Sequence, residues 1–299
     1  MESRVGTKTE ANAVVRPLLR RLSRSFDLAG LGPVLAESGP LEARLATTRK
    51  DVRRAQKLRY KVFFEEGAAV PDARSRLARR DICPFDRVSD HLLVVDRTRS
   101  HRDGSPRIVG VYRLLRQEVA ERNFGFYSAR EFDLATLLAR APGARFLEVG
   151  RACIAPSHRG KHVVELLWRG LWAYARHHTI DAMIGCASLP GADAALHAPA
   201  IRALCAGGDA AWRVDPRPGL ARHEVSADRV APADPRALLR VLPPLVKGYW
   251  RLGATFSPIP VADPAFNTTD IFVVMPLAEI EGRYLDHFGV EALVSPLAA

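Results

Sequence analysis

"RFLEVGRACIAPSHRGKHVVELLWRGLWAYARHH", residues 145–178, decides how the chain is read. It opens as an apolar strand carrying one acid, Glu148, and ends as a long helix with Val163, Val164, Leu167, Leu171 and Ala175 at helical spacing. A carboxylate inside an apolar strand is costly unless it is paired, used or protonated. Arg151 is the obvious partner, yet residues three apart in a regular strand face opposite ways. Gly150 between them can host a bulge that brings both to one side. Taken alone, the strand favours a structural Glu148–Arg151 pair. The turn that follows, with Ser157, Arg159, Gly160 and Lys161, offers free backbone N–H groups, the positive end of a helix dipole and two cations. That combination suits a phosphate, although many basic helix starts bind only water.

Outward from this stretch the pattern alternates. "LEARLATT" (41–48) reads as a strand and "KDVRRAQKLRYKVFFEE" (50–66) as a helix with Val52, Ala55, Leu58, Val62 and Phe63 on one side. "DHLLVVD" and "RIVGVYRLL" are strands joined by the polar turn "RTRSHRDGSP". A short helical piece, "YSAREFDLATLLAR", precedes the opening strand, and "DAMIGCASL" follows its helix as another strand. The order strand, helix, strand, strand, helix, strand, helix, strand predicts an α/β or α+β layer fold, with helices covering a largely antiparallel sheet.

The N-terminal part stands apart. Val15, Leu18, Leu19, Leu22 and Phe26 share one helical face in residues 14–28, with Arg16, Arg20, Arg21 and Arg24 around them. Two readings stay open: a surface helix or arm, and an amphipathic segment that adsorbs to anionic lipid. "AGLGPVLAESGP" reads as a linker, which sets a boundary near residue 40.

Composition limits the function classes. In 299 residues, 44 Lys and Arg outnumber 33 Asp and Glu, for a net charge of +11. The pI near 10.0 implies an anionic partner. No helix-turn-helix, zinc spacing or aromatic–basic strand motif points to nucleic acid. The four cysteines, Cys83, Cys153, Cys186 and Cys205, lie far apart with no CxxC pair, so neither a zinc site nor a disulfide framework is expected. No apolar run reaches the ~18 residues a bilayer span needs, and no secretory signal is evident. The expected location is cytoplasmic, peripheral on the inner face of the membrane.

Eight collinear stretches carry a resemblance: "LRYKVFFEE", "FDRVSDHLLVVD", "VGVYRLL", "LEVGRACIAPSHR", "LLWRGLWAY", "IGCASLPGAD", "PLVKGYWRLGA" and "DPAFNTTDIFVVMP". Over about residues 41–289 the chain resembles the ornithine N-acyltransferase family of bacterial ornithine-lipid synthesis. That family is GNAT-like and related to the acyl-homoserine-lactone synthases. The resemblance implies a GNAT-like domain over 41–299 (core 41–210, loop 211–235, C-terminal portion 236–299) behind an N-terminal extension, 1–40. Its central sheet is mixed, mostly antiparallel and splayed at the acid-bearing strand, with helices on both faces.

The implied activity is transfer of a 3-hydroxyacyl group from acyl carrier protein to the α-amine of ornithine, giving a lyso-ornithine lipid. The eight matches reverse the reading of Glu148, which becomes the general base, with Arg151 beside it. The resemblance further implies a charged cluster of Arg59, Asp86, Arg113, Glu148 and Arg151. In it, Arg59 or Arg113 holds the ornithine carboxylate and Asp86 or Asp90 meets an ammonium. Ser157, Arg159, Gly160 and Lys161 would bind the phosphate of the phosphopantetheine arm.

The chain departs from the family pattern twice. The small residues of the GNAT turn are replaced by His162 and Val164, which favours a single carrier phosphate over the pyrophosphate of coenzyme A. Cys83 stands where related synthases show the first Asp of Asp-x-Phe-Asp, while Asp81 matches an acidic position of some relatives. No permanently bound cofactor and no metal are expected. The expected partners are acyl carrier protein, ornithine and an anionic membrane surface met by residues 14–28. Rival readings are the same chemistry on another amine and a non-catalytic basic protein of the membrane surface.

Overall fold

The run Leu92–Val95 within β3 (Asp90–Ser100) is apolar on both faces, and both faces are covered. Leu92 and Val94 join one core cluster, Leu93 and Val95 another. Such a strand belongs inside a sheet with a helix layer on each side. The computed structural model describes residues 31–220 and 242–279, leaving the side chain of Lys161 aside. The basic segment 14–28 lies outside the described residues, as do 221–235 of the expected loop and part of 236–299.

Across the sheet the strands run β1 (Val34–Ser38), β2 (Leu41–Leu45), β3, β4 (Pro106–Arg116), β5 (Phe146–Ile154), β6 (Ala182–Pro190), β9 (Thr268–Pro276) and β7 (Thr255–Phe256). The short β8 (Val261–Asp263) also pairs with β9. Every pairing is antiparallel except β5–β6. The mixed, mostly antiparallel sheet agrees with the expectation from the pattern.

One expectation needs correction. The linker read up to residue 40 is, from Val34 on, the edge strand β1. Ser38 pairs with Leu41 around a Gly39–Pro40 turn, where Gly39 takes φ +55°. A positive φ is what glycine supplies without a Cβ penalty, so Gly and Pro here mark a hairpin rather than a spacer.

The helix of the quoted stretch, α5 (Lys161–His177), lies on the β1–β4 half of the sheet. Leu166, Leu171, Trp172, Tyr174 and Ala175 are buried in the same cluster as Ala43, Leu92 and Val94. Gly170 permits the close approach, since a Cβ there would come within 2.8 Å of a Leu92 methyl. Trp168, Trp172 and Tyr174 are core residues. Helix α1 (Arg49–Tyr60) covers Leu93 and Val95 on the opposite face. Its N-cap is Thr48, whose hydroxyl accepts from Asp51 N. A π-helical turn, Lys61–Glu66, continues it.

The sheet opens where the acid sits. The parallel ladder of β5 and β6 covers only Phe146–Glu148 against Ala182–Ile184. Beyond it β6 stays with β9 up to Pro190, and β5 stays with β4. At the parting, a Cβ on Gly185 would collide with the carbonyl oxygen of Val149, so only glycine lets the strands part at this distance. The splay expected at Glu148 is present.

Candidate active site

The gap between β5 and β6 is the mouth of a cavity of about 630 Å³, lined among others by Glu148, Gly150, Arg151, Arg113, Tyr127 and Asp270. The ladder with β4 slips by one residue between Gly150 and Cys153, and Arg151 takes φ +52°. This is the bulge expected at Gly150, placed one residue later, and it brings Arg151 to the cavity.

Glu148 and Arg151 share the cavity without pairing. Glu148 accepts hydrogen bonds from Tyr127 N (2.7 Å), Ser128 N (2.7 Å) and Ser128 Oγ (2.5 Å). It makes no ion pair among the described residues. The simple Glu148–Arg151 pair read from the strand is therefore replaced by a loop twenty residues upstream, which supplies donors in place of a cation. A carboxylate has about four lone-pair sites, so three donors leave room for one more.

Arg151 points the other way. Its Nε lies 3.3 Å from Asp81 Oδ2, its Nη2 donates to Tyr127 Oη at 3.2 Å, and its guanidinium stacks 4.4 Å from the Phe266 centroid. Behind it is a buried network. Arg59 donates to both carboxylate oxygens of Asp86 (2.9 and 2.7 Å) and lies 2.8 Å from Asp81 Oδ2. Burial alone would lower the pKa of Arg59, but Asp86 and Asp81 outweigh it and hold the guanidinium charged. Burial would raise Asp86, yet Arg59 keeps that carboxyl well below the usual carboxylate range. Gln56 Nε2 and Cys83 N add donors to Asp86 at 2.8 and 3.2 Å.

Four members of the expected charged cluster thus sit around one network, but they do different things. Arg113 reaches the cavity wall, 4.0 Å from Asp86, and donates to Cys83 Sγ at 3.2 Å. The Cys83 sulfur thus serves as an acceptor for Arg113. Arg59 and Asp86 are buried behind the wall and do not line the cavity. Asp90 lies elsewhere: it accepts from Tyr174 Oη on α5 at 2.5 Å and stands 4.0 Å from Arg116.

The turn after β5 is split as well. Ser157 is exposed and paired with His158 Nδ1 at 2.8 Å. Gly160 caps α5 without a side-chain cap bond, leaving N–H groups of the first turn open. Arg159 is bonded to Glu66 at 2.6 Å. Arg159 and Gly160 line an apolar groove of about 560 Å³ that shares Tyr112, Ala152, Pro243 and Leu245 with the main cavity. The side chain of Lys161 lies outside the described residues.

Sequence reasoning missed the other wall. Asp270, in the stretch "DPAFNTTDIFVVMP", is buried and faces the cavity, and Asp263 lines it too. Glu131, Cys186 and Asp270 have ligand-type atoms within 4.8 Å of one another. Burial, then the charges of Asp270 and Asp263, push the Glu131 carboxyl up to about 8, and burial raises Asp270 too. Tyr112 and Tyr249 share a 2.8 Å hydrogen bond at the junction of cavity and groove. Burial pushes the Cys153 thiol up to about 12, which leaves it a packed thiol rather than a nucleophile.

A mixed sheet that parts at an acid-bearing strand, with a helix starting just past that strand, defines a GNAT-type N-acyltransferase. The acetyltransferase (GNAT) domain family matches residues 58–169. L-ornithine N(alpha)-acyltransferase of Agrobacterium fabrum is 47% identical over 287 residues, 95% of this chain and 94% of that protein. The protein of the same name from Rhizobium meliloti is 48% identical over 265 residues, 87% of this chain and 88% of its own. The chain belongs to the L-ornithine N(alpha)-acyltransferase family. The solved structure of FeeM, an N-acyl amino acid synthase from uncultured soil microbes, is similar with a TM-score of 0.48 and 11% identity, over 83% of this chain and 98% of that one.

Proposed function

We propose that this N-acyltransferase moves a 3-hydroxyacyl group from the phosphopantetheine arm of acyl carrier protein to the α-amine of ornithine, giving a lyso-ornithine lipid. The substrate named for the relatives supports ornithine as acceptor. The observation that carries the mechanism is the Glu148 carboxylate, held in the cavity at the splay by three donors with room for one more. An α-ammonium cannot attack a thioester. Glu148 takes its proton directly or through a water, and the freed amine forms the C–N bond. The C–S bond breaks as the carrier thiol leaves with a proton. Beyond Glu148, β5 has no strand partner on the β6 side among the described residues, so backbone there can meet the thioester oxygen as it gains charge.

The cavity divides the acceptor's charges. Arg113 and Arg151 on one wall suit its carboxylate, and Asp270 on the other suits its side-chain ammonium. The arm reaches Glu148 along the apolar groove, with its single phosphate at the turn of Ser157, Arg159, Gly160 and Lys161. His162 and Val164, in place of small residues, support a carrier phosphate over coenzyme A. Among the described residues no helix is long and apolar enough to cross a membrane. Residues 14–28 are the proposed contact with anionic lipid on the inner face of the membrane.

The test incubates the purified protein with 3-hydroxyacyl carrier protein, the matching acyl-CoA and a panel of amino acids, and identifies products by mass spectrometry. Nα-acylated ornithine from the carrier-bound donor is expected. Preference for acyl-CoA, or for another amine, overturns the corresponding half of the reading.

A further inference from the structure

One face of the molecule holds a concentration of cations that the catalytic site does not use. Helix α1, the residues after it and the β3–β4 hairpin enclose a hollow of about 950 Å³, lined by Arg53, Lys57, Lys61, Arg80, Arg102 and Arg107. All but Arg80 are exposed. Among the described residues the one carboxylate in the lining, Asp103, is occupied by Lys50 and Arg54. Among the described residues Arg53, Lys57, Arg102 and Arg107 have no ion-pair partner within 4.0 Å, and Lys61 reaches Glu66 only at 3.9 Å.

Like charges held together without counter-charges oppose folding, so a folded chain that keeps several of them in one concave surface points to an anionic body that fills it. The floor is partly apolar, with Leu58, Ile108, Ala155 and Pro156. A planar lipid surface can touch the rim of a hollow but not its floor, whereas a small convex protein can touch both.

The hollow also lies beside the outer end of the route to the cavity. It ends on Ser157, in the same turn as Arg159 and Gly160, which open the apolar groove. That groove joins the cavity at Tyr112 and Ala152. A protein seated in the hollow therefore stands at the outer end of the path its prosthetic arm has to follow.

We propose that this hollow is the docking surface for the acidic body of the carrier protein, distinct from the turn that receives its phosphate. The proposal rests on the carrier-protein reading of the donor. Arg53 and Lys57 on α1 form one wall, and Arg102 and Arg107 on the hairpin form the other. Docking by exposed charges acts mainly on the encounter and weakens with salt.

The experiment compares the parent with R53E/K57E and, on the opposite wall, R102E/R107E, under steady-state conditions with 3-hydroxyacyl carrier protein. Each double variant is expected to raise KM for the acyl carrier protein by about tenfold or more. KM for ornithine and the rate at saturating donor should stay near the parent's, and the difference should shrink at high ionic strength. With the detached donor, 3-hydroxyacyl phosphopantetheine, parent and variants should react alike. The two walls give independent variants should one fail to fold. An unchanged KM for the acyl carrier protein in a folded variant overturns the docking surface. So does loss of binding to anionic phosphatidylglycerol vesicles with carrier kinetics intact, which would make the face a lipid contact. A parent that accepts only acyl-CoA is a different result: it removes the donor reading itself and the docking surface with it.

Discussion

Replacing Glu148 by Gln tests the mechanism where it is most exposed to failure. The carboxylate accepts from two backbone amides and one hydroxyl within 2.5–2.7 Å. Glutamine keeps one oxygen and turns an NH2 group toward donors. At least one of the N–H groups of Tyr127 and Ser128 then loses its acceptor, and a buried unsatisfied donor costs about 1–3 kcal/mol. At ~2–4 °C per kcal/mol, the thermal midpoint should fall by several degrees. Loss of a positioned base should lower the acylation rate by about 10²–10⁴-fold. The assay is the initial rate with 3-hydroxyacyl carrier protein and ornithine across a pH series, beside the unfolding curve at each pH. Without a base the variant depends on the fraction of acceptor already present as free amine. Its rate should climb about tenfold per pH unit below the amine's pKa, so the gap to the parent narrows as pH rises. A loss that is purely structural keeps the same ratio at every pH, and that outcome, or full activity in the variant, would refute the base assignment.

Further outcomes follow from the surroundings of the site. R59M leaves Asp81 and Asp86 as buried carboxylates without their main cation. It should cost about 3–5 kcal/mol in urea unfolding, and a loss below about 1 kcal/mol would show that the network is not holding the wall. D270N should raise KM for ornithine by about 10–100-fold while leaving KM for the acyl carrier protein near the parent's. That corresponds to one charge-assisted hydrogen bond of ~1.5–3 kcal/mol, and an unchanged ornithine KM removes Asp270 from acceptor binding. Burial holds His91 down to about 4 from the ordinary 6.5. The folded protein keeps this ring neutral while the unfolded chain takes a proton below 6.5, so stability from His91 is complete above that pH and is lost as pH falls toward 4. At ~1.4 kcal/mol per unit the loss is roughly 3 kcal/mol. Urea unfolding of parent and H91Q across that window should show their stability difference shrinking by about this amount as pH falls, and parallel curves would contradict it.

The strand–helix alternation from residue 41 to 190 was legible because the helices keep one apolar face, the inner strands are short apolar runs, and polar or Gly-containing turns separate them. The opening of the sheet was legible from family resemblance, and the bulge from Gly150. The edge strand β1 was not. Its Gly39–Pro40 turn looks the same in a linker and in a hairpin, and only pairing with β2, itself anchored on β3, distinguishes them. The partner of Glu148 was equally hidden. Its donors are mainly backbone amides of Tyr127 and Ser128, and a backbone N–H has no signature in a sequence. The acids of the far wall were hidden for another reason. Glu131 and Asp270 are 139 positions apart, brought together by β9 crossing to pair with β6. Taken singly, each resembles an ordinary surface or turn acid.

The charge of +11 suggested an anionic partner, but it did not say where that partner would meet the molecule. The inner arginines do not attract the carrier protein, because Arg59 is buried and Arg113 and Arg151 face the cavity, tied to Asp81, Asp86, Cys83 and Tyr127. Inside, Glu148, Asp263 and Asp270 line the cavity with carboxylates, which favour a cationic acceptor and disfavour a polyanionic donor. The unpaired cations lie outside, on α1 and the β3–β4 hairpin. On the proposed reading the two substrates are therefore sorted by charge before they meet. The carrier protein is kept at the cationic surface and sends in only its neutral arm through an apolar groove, while ornithine enters a cavity of opposite sign. Glu148 lies in the cavity that both routes enter, at the last residue of the β5–β6 ladder. Reversing charge on the outer face should therefore alter donor kinetics alone, and removing Asp270 should alter acceptor kinetics alone. A variant at either place that changed both would mean that the two routes are not separate.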